Sequence, residues 1–184
     1  MLKEENDKAL VISKKTIIYI SFHSESRNIT WEDSLLRAYL NNVFYEESFT
    51  DLEKQMIIKT KLINSKNNEF GLTNGNDTYD NIFVLNNSEY DKYFISNLER
   101  VSAGTPYAKS LGLSISMTLP IDEEPIENGT YYWSRDVGYH ASDIACINWD
   151  GEINKYGYDC RTDGMGVRPC MWIKKEGVEK WQKK

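Results

Sequence analysis

Residues 143–158 read DIACINWDGEINKYGY, and the architecture of the C-terminal third follows from this stretch. Apolar and polar residues alternate on both sides of the Asp150-Gly151 pair. An Asp-Gly pair between two such runs is typical of the type I′ turn of a two-stranded hairpin. The sequence therefore predicts a β-hairpin with strands over residues 143–149 and 152–158.

Further strands are predicted on both sides of this hairpin and at the start of the chain. Residues 131–135 (YYWSR) precede the hairpin, and residues 167–174 (VRPCMWIK) are predicted as the last strand. Residues 9–13 and 16–22 are rich in β-branched and apolar side chains. The Lys14-Lys15 pair between them indicates a turn, so the chain is predicted to begin with two strands.

Two helices are predicted after these first strands. Apolar residues recur every three to four positions across residues 31–46, which predicts an amphipathic helix with Thr30 as its N-cap. Thr50 and Glu53 have the spacing of a capping box and predict a second, shorter helix through Met56.

The middle of the chain combines short elements with polar loops. In chain order we predict a strand (57–63), a loop rich in Asn and Gly (64–81), a short buried strand (82–85), a helix capped by Ser88, a helix that Thr105-Pro106 opens (106–111), and an exposed loop (120–130).

The order of strands, helices and then strands is typical of the α+β class. We expect a single α+β domain over residues 9–175, with a mixed or antiparallel sheet, two or more helices after the first strands, and a C-terminal β-hairpin region. Residues 1–8 are predicted to form a charged N-terminal stub, and residues 176–184 a lysine-rich tail. A length of 184 residues suits one domain.

Charge and hydropathy exclude some classes of function. The chain has 22 Lys and Arg against 28 Asp and Glu, for a net charge of −6, which argues against nucleic-acid binding. No apolar run approaches the roughly 20 residues of a membrane-spanning helix, so none is expected. The N-terminus does not have the pattern of a secretory signal, and a cytoplasmic location is the default expectation. The oligomeric state is left open.

The three cysteines, Cys146, Cys160 and Cys170, are odd in number and have no Cys-x-x-Cys spacing. This pattern favours free, partly buried thiols over a disulfide framework or a zinc site. A Cys160–Cys170 or Cys146–Cys170 bridge is the alternative in an oxidising compartment. The two histidines, His23 and His140, are far apart in the sequence, so neither a metal centre nor a cofactor is expected.

Four stretches match a known pattern in order and spacing. They read ALVIS at 9–13, TWEDSLLRAYLNNVFY at 30–45, DNIFVL at 80–85, and a C-terminal block with YWSR at 132–135, WDG at 149–151 and GVRPCMWI at 166–173. The chain resembles the bacterial family called domain of unknown function 6273 over about residues 8–175. The family's function is unassigned, so the resemblance implies no catalytic residues.

The chain departs from that family in two places. Members begin with a further Trp-bearing strand upstream of residue 9, which here is absent or replaced by charged residues, so we expect either a truncated chain or an open edge of the first sheet. Residues 133–138 (WSRDVG) lack the proline of the family's Trp-Leu-Arg-Ser-Pro-Gly. Because that proline would fix the turn, the conformation of the turn is not predicted here.

The C-terminal block is also similar to the ends of C-type-lectin-like bacterial domains, which include formylglycine-generating-enzyme relatives and the variable proteins of diversity-generating retroelements. This second resemblance implies a C-type-lectin-like architecture. We expect the motif residues to be structural, with anion recognition as the alternative for the two arginines. These motif residues are Trp31, Trp133, Arg135, Gly166, Arg168, Pro169 and Trp172.

The region 136–163 combines large amphipathic rings with short polar groups, a composition typical of binding surfaces. The alternative is an aromatic-rich sheet whose rings form the core and its rim. The candidate ligand-binding residues are Tyr139, His140, Asn148, Trp149, Asn154, Tyr156, Tyr158 and Arg161.

Other polar clusters have simpler explanations. Asn74, Asn76, Asp77, Asp80 and Asn81 lack the spacing of a calcium loop and favour Asx turns. The adjacent acids at 122–124 and 127 are expected to be solvated rather than to form a catalytic pair.

The sequence thus favours a non-enzymatic domain that presents an aromatic and polar hairpin surface to a protein or a glycan. No catalytic residue is assigned. The alternatives are an enzyme, either a formylglycine-type oxidase relative or a hydrolase, and a structural or assembly module of a phage or of a longer protein.

Overall fold

The computed structural model describes residues 1–64, 69–115 and 129–176. A 3₁₀ turn at Trp31–Asp33 precedes the first α-helix, and a π-helical segment at Leu40–Phe44 follows it. The α-helices α1–α6 are Leu35–Tyr39, Tyr45–Ser48, Asp51–Met56, Asn87–Tyr93, Asn97–Arg100 and Pro106–Ser110. The strands β1–β11 are Lys3–Glu4, Lys8–Ile12, Ile18–Tyr19, Ile57–Ile58, Thr60–Leu62, Thr78–Asp80, Tyr132–Val137, Asp143–Ile147, Ile153–Asp159, Gly166–Val167 and Cys170–Lys174.

The strands in the described part of the chain form one mixed and two antiparallel sheets. The largest sheet has the order β3-β10-β7-β8-β9, in which β10 runs parallel to β7 and the other pairings are antiparallel. The second sheet has the order β1-β2-β11-β4, and β5 pairs with β6 in a third. The predicted fold class, a single α+β domain with mixed and antiparallel sheets, is confirmed.

The C-terminal hairpin forms where the Asp-Gly pair predicts it, but its turn is not the predicted type I′ turn. The N–H of Gly151 donates to the carbonyl oxygen of Asn148 at 2.9 Å, and the N–H of Asn148 donates to the carbonyl oxygen of Glu152 at 2.8 Å, so a three-residue loop joins the strands. β8 and β9 are antiparallel, and the turn between them holds Gly151 at a φ of 83°, a conformation that favours glycine. The register shifts between Ile144 and Cys146, opposite extra residues on β9 that include Gly157 at a φ of 77°. The hairpin is therefore bulged on its β9 side.

Two residues carry the chain from one large sheet to the other between β10 and β11. Arg168 is 4% exposed, and its guanidinium donates to the carbonyl oxygens of Ser13 (3.1 Å) and Arg100 (3.0 Å). Pro169 has no N–H for a ladder bond. The predicted continuous strand over 167–174 is therefore wrong at these two residues, which join the sheets.

Large aromatic side chains fill the core. Trp31 and Trp133 are both 0% exposed, and the Phe22 ring lies 6.2 and 5.8 Å from their ring centroids. The indole N–H of Trp133 donates to the carbonyl oxygen of Ile20 at 2.9 Å, and that of Trp31 donates to Asp80 at 2.9 Å. Both buried indoles are thus hydrogen-bonded, as burial requires.

The first helical region begins later than predicted. Thr30 makes no side-chain capping bond, and the next three residues form a 3₁₀ turn. Ser34 is extended, and its hydroxyl caps α1 by accepting a backbone N–H at 3.0 Å. Leu36 is buried, whereas Leu35 is 42% exposed, because the break at Ser34 changes which face meets the core. The predicted uninterrupted helix over 31–46 is wrong in this respect.

Three predicted elements in the middle of the chain need correction. The predicted loop over 64–81 contains β6, which pairs with β5. The predicted strand over 82–85 is buried, but its backbone is irregular except for a single bridge between Phe83 and Cys170. Of the predicted exposed loop over 120–130, residues 129 and 130 are described and both are buried, while the other positions lie outside the described residues.

Capping was predicted correctly for two helices. Thr50 and Thr105 cap α3 and α6, as the sequence indicates. α4 instead begins after Asn86, which forms a capping box with Glu89. Ser88, the predicted cap, lies in the first turn and donates its hydroxyl to Asn86 at 2.9 Å.

The first residues of the chain add a strand to the four-stranded sheet. β1 pairs antiparallel with β2, so the edge that was expected to be open is covered. The ammonium groups of Lys3 and Lys8 lie 5.9 and 4.6 Å from the centroid of the Trp172 ring on β11. Such cation–π contacts place positive charge next to the covered edge.

We expect Asp80→Ala to lower the free energy of unfolding by about 3 kcal/mol. The carboxylate is 0% exposed and accepts hydrogen bonds from Trp31 (2.9 Å), Thr78 (2.7 Å) and Arg37 (2.7 Å), so its removal leaves these donors without an acceptor. Urea unfolding followed by tryptophan fluorescence measures the change. Asp7→Ala removes an exposed carboxylate as a control. Equal, small changes for both variants would contradict this network.

Candidate ligand-binding surface

Strand β7 is held in place by a buried arginine. Arg135 is 2% exposed, forms a two-pronged ion pair with Glu89, and donates to the carbonyl oxygen of Val84 (2.9 Å) and the side-chain oxygen of Asn64 (3.2 Å). Burial alone would lower the pKa of this guanidinium, but the adjacent Glu89 carboxylate raises it overall. The guanidinium therefore stays charged, and its ion pair with Glu89 joins β7 to α4.

A second set of polar contacts fixes the end of β7. Asn74 donates its amide to Asp136 at 2.9 Å, and its side-chain oxygen accepts the Val137 N–H at 2.8 Å. The N–H of Asn87 donates to the other oxygen of Asp136 at 2.9 Å. Burial raises the pKa of the Asp136 carboxyl above its ordinary value. The direction in which the chain leaves β7 is thus set by the side chain of Asn74 and the backbone N–H of Asn87.

Beyond the end of β7 lies an exposed group of rings, which we call the ring cluster: Phe70, Tyr139, His140 and Tyr156. Tyr139 and Tyr156 are 53% and 64% exposed, and Phe70 is half-buried. Their ring centroids lie 5.3 to 5.7 Å apart, and the His140 ring lies 4.7 Å from that of Tyr139. The predicted rings Tyr139, His140 and Tyr156 are therefore brought together on one surface.

The backbone beneath the ring cluster is hydrogen-bonded. The N–H of Tyr139 donates to the carbonyl oxygen of Tyr156 at 2.8 Å, and that of Gly138 donates to the carbonyl oxygen of Asp143 at 2.6 Å. A Cβ at Gly138 would collide with the Tyr156 carbonyl group, so glycine allows this close approach. The spacing of the two exposed tyrosines is thus determined by the sheet.

His140 extends the ring cluster with a polar group. Its side chain is 70% exposed, and its Nδ1 lies 2.7 Å from a carboxylate oxygen of Asp143. This contact orients the imidazole and leaves Nε2 as a further polar atom on the exposed side chain.

The tip of the hairpin is packed against the domain. Asn148 and Trp149 are half-buried, and the carbonyl oxygen of Gly151 accepts a hydrogen bond from the Arg100 guanidinium at 2.8 Å. A Cβ at Gly151 would collide with the backbone of Asn97. The hairpin is therefore exposed along β9 rather than at its turn.

The remaining predicted binding residues lie elsewhere. Asn154 is half-buried and accepts the Gly157 N–H at 3.1 Å, and Arg161 is exposed beside Asp159, with 3.6 Å between the charged groups. Tyr158 is 39% exposed and belongs to a separate small cleft of about 160 Å³. Its ring lies 6.3 Å from that of Tyr131. The eight predicted residues thus do not form one site.

The family motif residues lie largely in the interior. Arg168 is stacked against Tyr132, with 5.2 Å between the guanidinium carbon and the ring centroid, and donates to its hydroxyl at 3.2 Å. Burial raises the pKa of Tyr132 to about 12. A Cβ at Gly166 would collide with Thr16. Trp31, Trp133, Arg135 and Pro169 are buried as well, and Trp172 is half-buried.

Sequence reasoning missed Phe70. It lies in the stretch predicted as an Asn- and Gly-rich loop, and no periodicity relates it to the hairpin about 70 residues later.

The Asx side chains of the same stretch make structural bonds: Asn76 contacts Glu32, and Asp77 pairs with Lys61 at 3.0 Å. The acids at 122–124 and 127 lie outside the described residues.

Two classes of site are not found in the described stretches. Across residues 1–64, 69–115 and 129–176, no three His, Cys, Asp or Glu side chains are grouped as metal ligands. In the same stretches, no helix combines the length and the apolar composition that a bilayer span requires.

The fold and this surface define an α+β domain with an exposed, backbone-supported aromatic cluster. The chain belongs to the family described as domain of unknown function (DUF6273), whose model matches residues 6–175. This match confirms the resemblance carried by the four stretches. No curated protein and no solved structure matches the chain.

The three thiols are expected to react slowly in the folded protein. Cys146, Cys160 and Cys170 are free and 0% exposed. Burial raises the pKa of Cys146 to about 12 and raises those of the other two, so little thiolate forms at pH 8. We expect an aromatic disulfide reagent to titrate no thiol within minutes at pH 8, and three in guanidinium chloride. Fast reaction of any thiol in the native protein would contradict this burial.

Proposed function

We propose that this chain is a non-enzymatic recognition domain that binds a protein or a glycan through the ring cluster. The observation that carries the proposal is the packing of two more than half-exposed tyrosines, Tyr139 and Tyr156, against each other and against Phe70. Grouped exposed rings are uncommon on a surface that has no partner, since they leave apolar area in water.

The energetics of the ring cluster suit binding. A tyrosine brings a large contact area with few rotatable bonds, so little entropy is lost when a ligand covers it. The hydrogen bond between the Tyr139 N–H and the Tyr156 carbonyl group, together with the polar contacts of β7, holds the backbone before any ligand arrives. This preorganisation lowers the cost of association.

Polar groups adjoin the tyrosine rings. The His140 ring contacts Tyr139 and bonds to Asp143. An ion pair between Lys155 and Glu69, with 3.1 Å between the charged atoms, involves the residues next to Tyr156 and Phe70 in the sequence. An apolar centre with a polar rim is the usual anatomy of a recognition surface. Tyrosine hydroxyls and the imidazole can donate or accept hydrogen bonds, which serves a peptide group as well as a sugar hydroxyl.

The tilts of the rings describe the shape of this surface. The interplanar angles within the ring cluster range from 42° to 89°, so the rings do not make one flat platform. A ligand would fit between and over the rings rather than stack on a single plane. The C-type-lectin-like architecture stays a prediction, and the proposal does not depend on it.

The test compares the unmodified chain with two variants on arrays of defined glycans and of purified proteins. Tyr139→Ser with Tyr156→Ser removes both exposed rings and is expected to weaken binding to any captured ligand at least tenfold, because hot-spot tyrosines contribute more than about 1 kcal/mol each. Tyr107→Ser is the matched control, since Tyr107 is 65% exposed on α6. It is expected to leave binding unchanged.

Thermal unfolding provides the folding control for these variants. All three rings are exposed, so each variant is expected to melt within a few degrees of the unmodified chain. Two results would count against the proposal: no captured ligand on either array, or a ligand that the double variant binds as tightly as the unmodified chain does.

A further inference from the structure

A polar cleft of about 320 Å³ is formed by the first helical region together with the residues around β5 and β6. Arg37 on α1 and Asn42 in the π-helical segment Leu40–Phe44 line it, and so do Lys59 and Tyr79. Within the described part of the chain, every lining residue apart from one alanine has a polar side chain. The volume is at the lower end of the range for small-molecule sites, and π-helical segments occur frequently at functional sites.

The parts of the chain that form this cleft are hydrogen-bonded to each other. The Asn41 amide donates to the carbonyl oxygen of Ile82 at 2.8 Å, and its side-chain oxygen accepts the N–H of Asn81 at 2.7 Å. The Nε of Arg37 donates to Asp80 at 2.7 Å. These contacts join the helical side of the cleft to the sheet side. The cleft is therefore preorganised, which lowers the cost of binding.

The positive charge in the lining is not balanced by an available carboxylate. Asp80 is 0% exposed and already accepts hydrogen bonds from Trp31, Thr78 and Arg37. Lys59 is exposed, and no carboxylate of the described residues pairs with its ammonium group. Two cations and one acid give this lining a net positive charge on a chain whose net charge is −6. Charge complementarity thus favours an anionic ligand.

The uncharged groups of the cleft suit a molecule that carries hydroxyl groups. Tyr79 lies in the middle of β6 and is 59% exposed, so its ring offers a face that can pack against the C–H groups of a sugar ring. The Asn42 amide donates to the carbonyl oxygen of Ala38 at 2.8 Å, and its side-chain oxygen makes no hydrogen bond with the described residues. Asn81 adds a second amide to the lining. Side-chain amides both donate hydrogen bonds to hydroxyl groups and accept them.

We infer that this cleft binds a small hydroxylated anion, the chemical class of the sugar acids and sugar phosphates. The Arg37 guanidinium and the Lys59 ammonium hold the anionic group, because hydrogen bonds between ionised groups are the strong ones. Tyr79 and the amides of Asn42 and Asn81 hold the hydroxylated ring. The cleft shares no residue with the ring cluster, so this inference does not rest on the proposed function.

The experiment titrates the full chain with four probes in a calorimeter: glucuronate, glucose 6-phosphate, glucose and inorganic phosphate. We expect glucuronate or glucose 6-phosphate to bind at least tenfold more tightly than glucose and than inorganic phosphate, and the tighter of the two identifies the anionic group. The inference is overturned if neither binds at millimolar concentrations. It is also overturned if glucose or inorganic phosphate alone binds as tightly.

Two pairs of variants locate the site. Lys59→Gln is expected to weaken the anionic sugar about tenfold, because a charge-assisted hydrogen bond is lost, whereas Lys59→Arg keeps most of the affinity. Lys15→Gln removes another exposed lysine and is expected to change nothing. Tyr79→Ser is expected to weaken the anionic sugar, and Tyr107→Ser, at a similarly exposed tyrosine, is its matched control.

Folding and specificity controls complete the design. Lys59 and Tyr79 are exposed, so their variants are expected to melt within a few degrees of the unmodified chain. Equal effects of Lys59→Gln and Lys15→Gln on the anionic sugar would overturn the inference. Tyr139→Ser with Tyr156→Ser is expected to leave the binding of this sugar unchanged. A large loss in that double variant would place the ligand at the ring cluster and overturn the inference as well.

Discussion

The ion pair between Arg135 and Glu89 is the contact on which the geometry of the larger sheet depends. A guanidinium that is 2% exposed is costly unless every donor is satisfied, and here it bonds to a carboxylate, a backbone carbonyl group and an amide oxygen. These partners come from α4, from the irregular segment at 82–85 and from Asn64, which follows β5. β7 is therefore tied to three separate parts of the chain, and its exit toward Tyr139 is fixed.

A second buried arginine fixes the position of the two large sheets relative to each other. Arg168 and Pro169 carry the chain from β10 to β11, and the arginine bonds to carbonyl groups of the loop after β2 and of α5. The family resemblance is carried largely by such interior residues. Tyr139, His140, Tyr156 and Phe70, by contrast, lie outside the stretches that match the family pattern. The four stretches thus describe the frame of the domain, and the exposed rings lie between them, within the residues 6–175 that the family model matches.

The sequence predicted the elements whose signals are local. The Asp-Gly turn, the capping box at Thr50 and the Thr105-Pro106 helix start each depend on a few adjacent residues, and each was found where expected. The start of α1 was predicted at Thr30, but Ser34 caps this helix in the structure, and the buried Trp31 lies in the 3₁₀ turn between the two residues.

The candidate site was only partly predictable, because its geometry depends on the register of the hairpin and on contacts between residues far apart in the sequence. Composition indicated the aromatic region, but alternation could not say which rings face water, because the bulge at Gly157 changes the register. The docking of the hairpin tip on Arg100 depends on a contact 51 residues apart in sequence. Phe70 joins the rings through tertiary structure alone.

Amide hydrogen exchange at Tyr139 tests the central claim, that the exposed rings stand on a backbone already fixed in the free protein. Its N–H belongs to an exposed residue, yet it donates to the Tyr156 carbonyl group at 2.8 Å. The account predicts protection comparable to that of the amides within β8, measured by NMR on the unliganded chain. Exchange at the rate of an unstructured loop would contradict it.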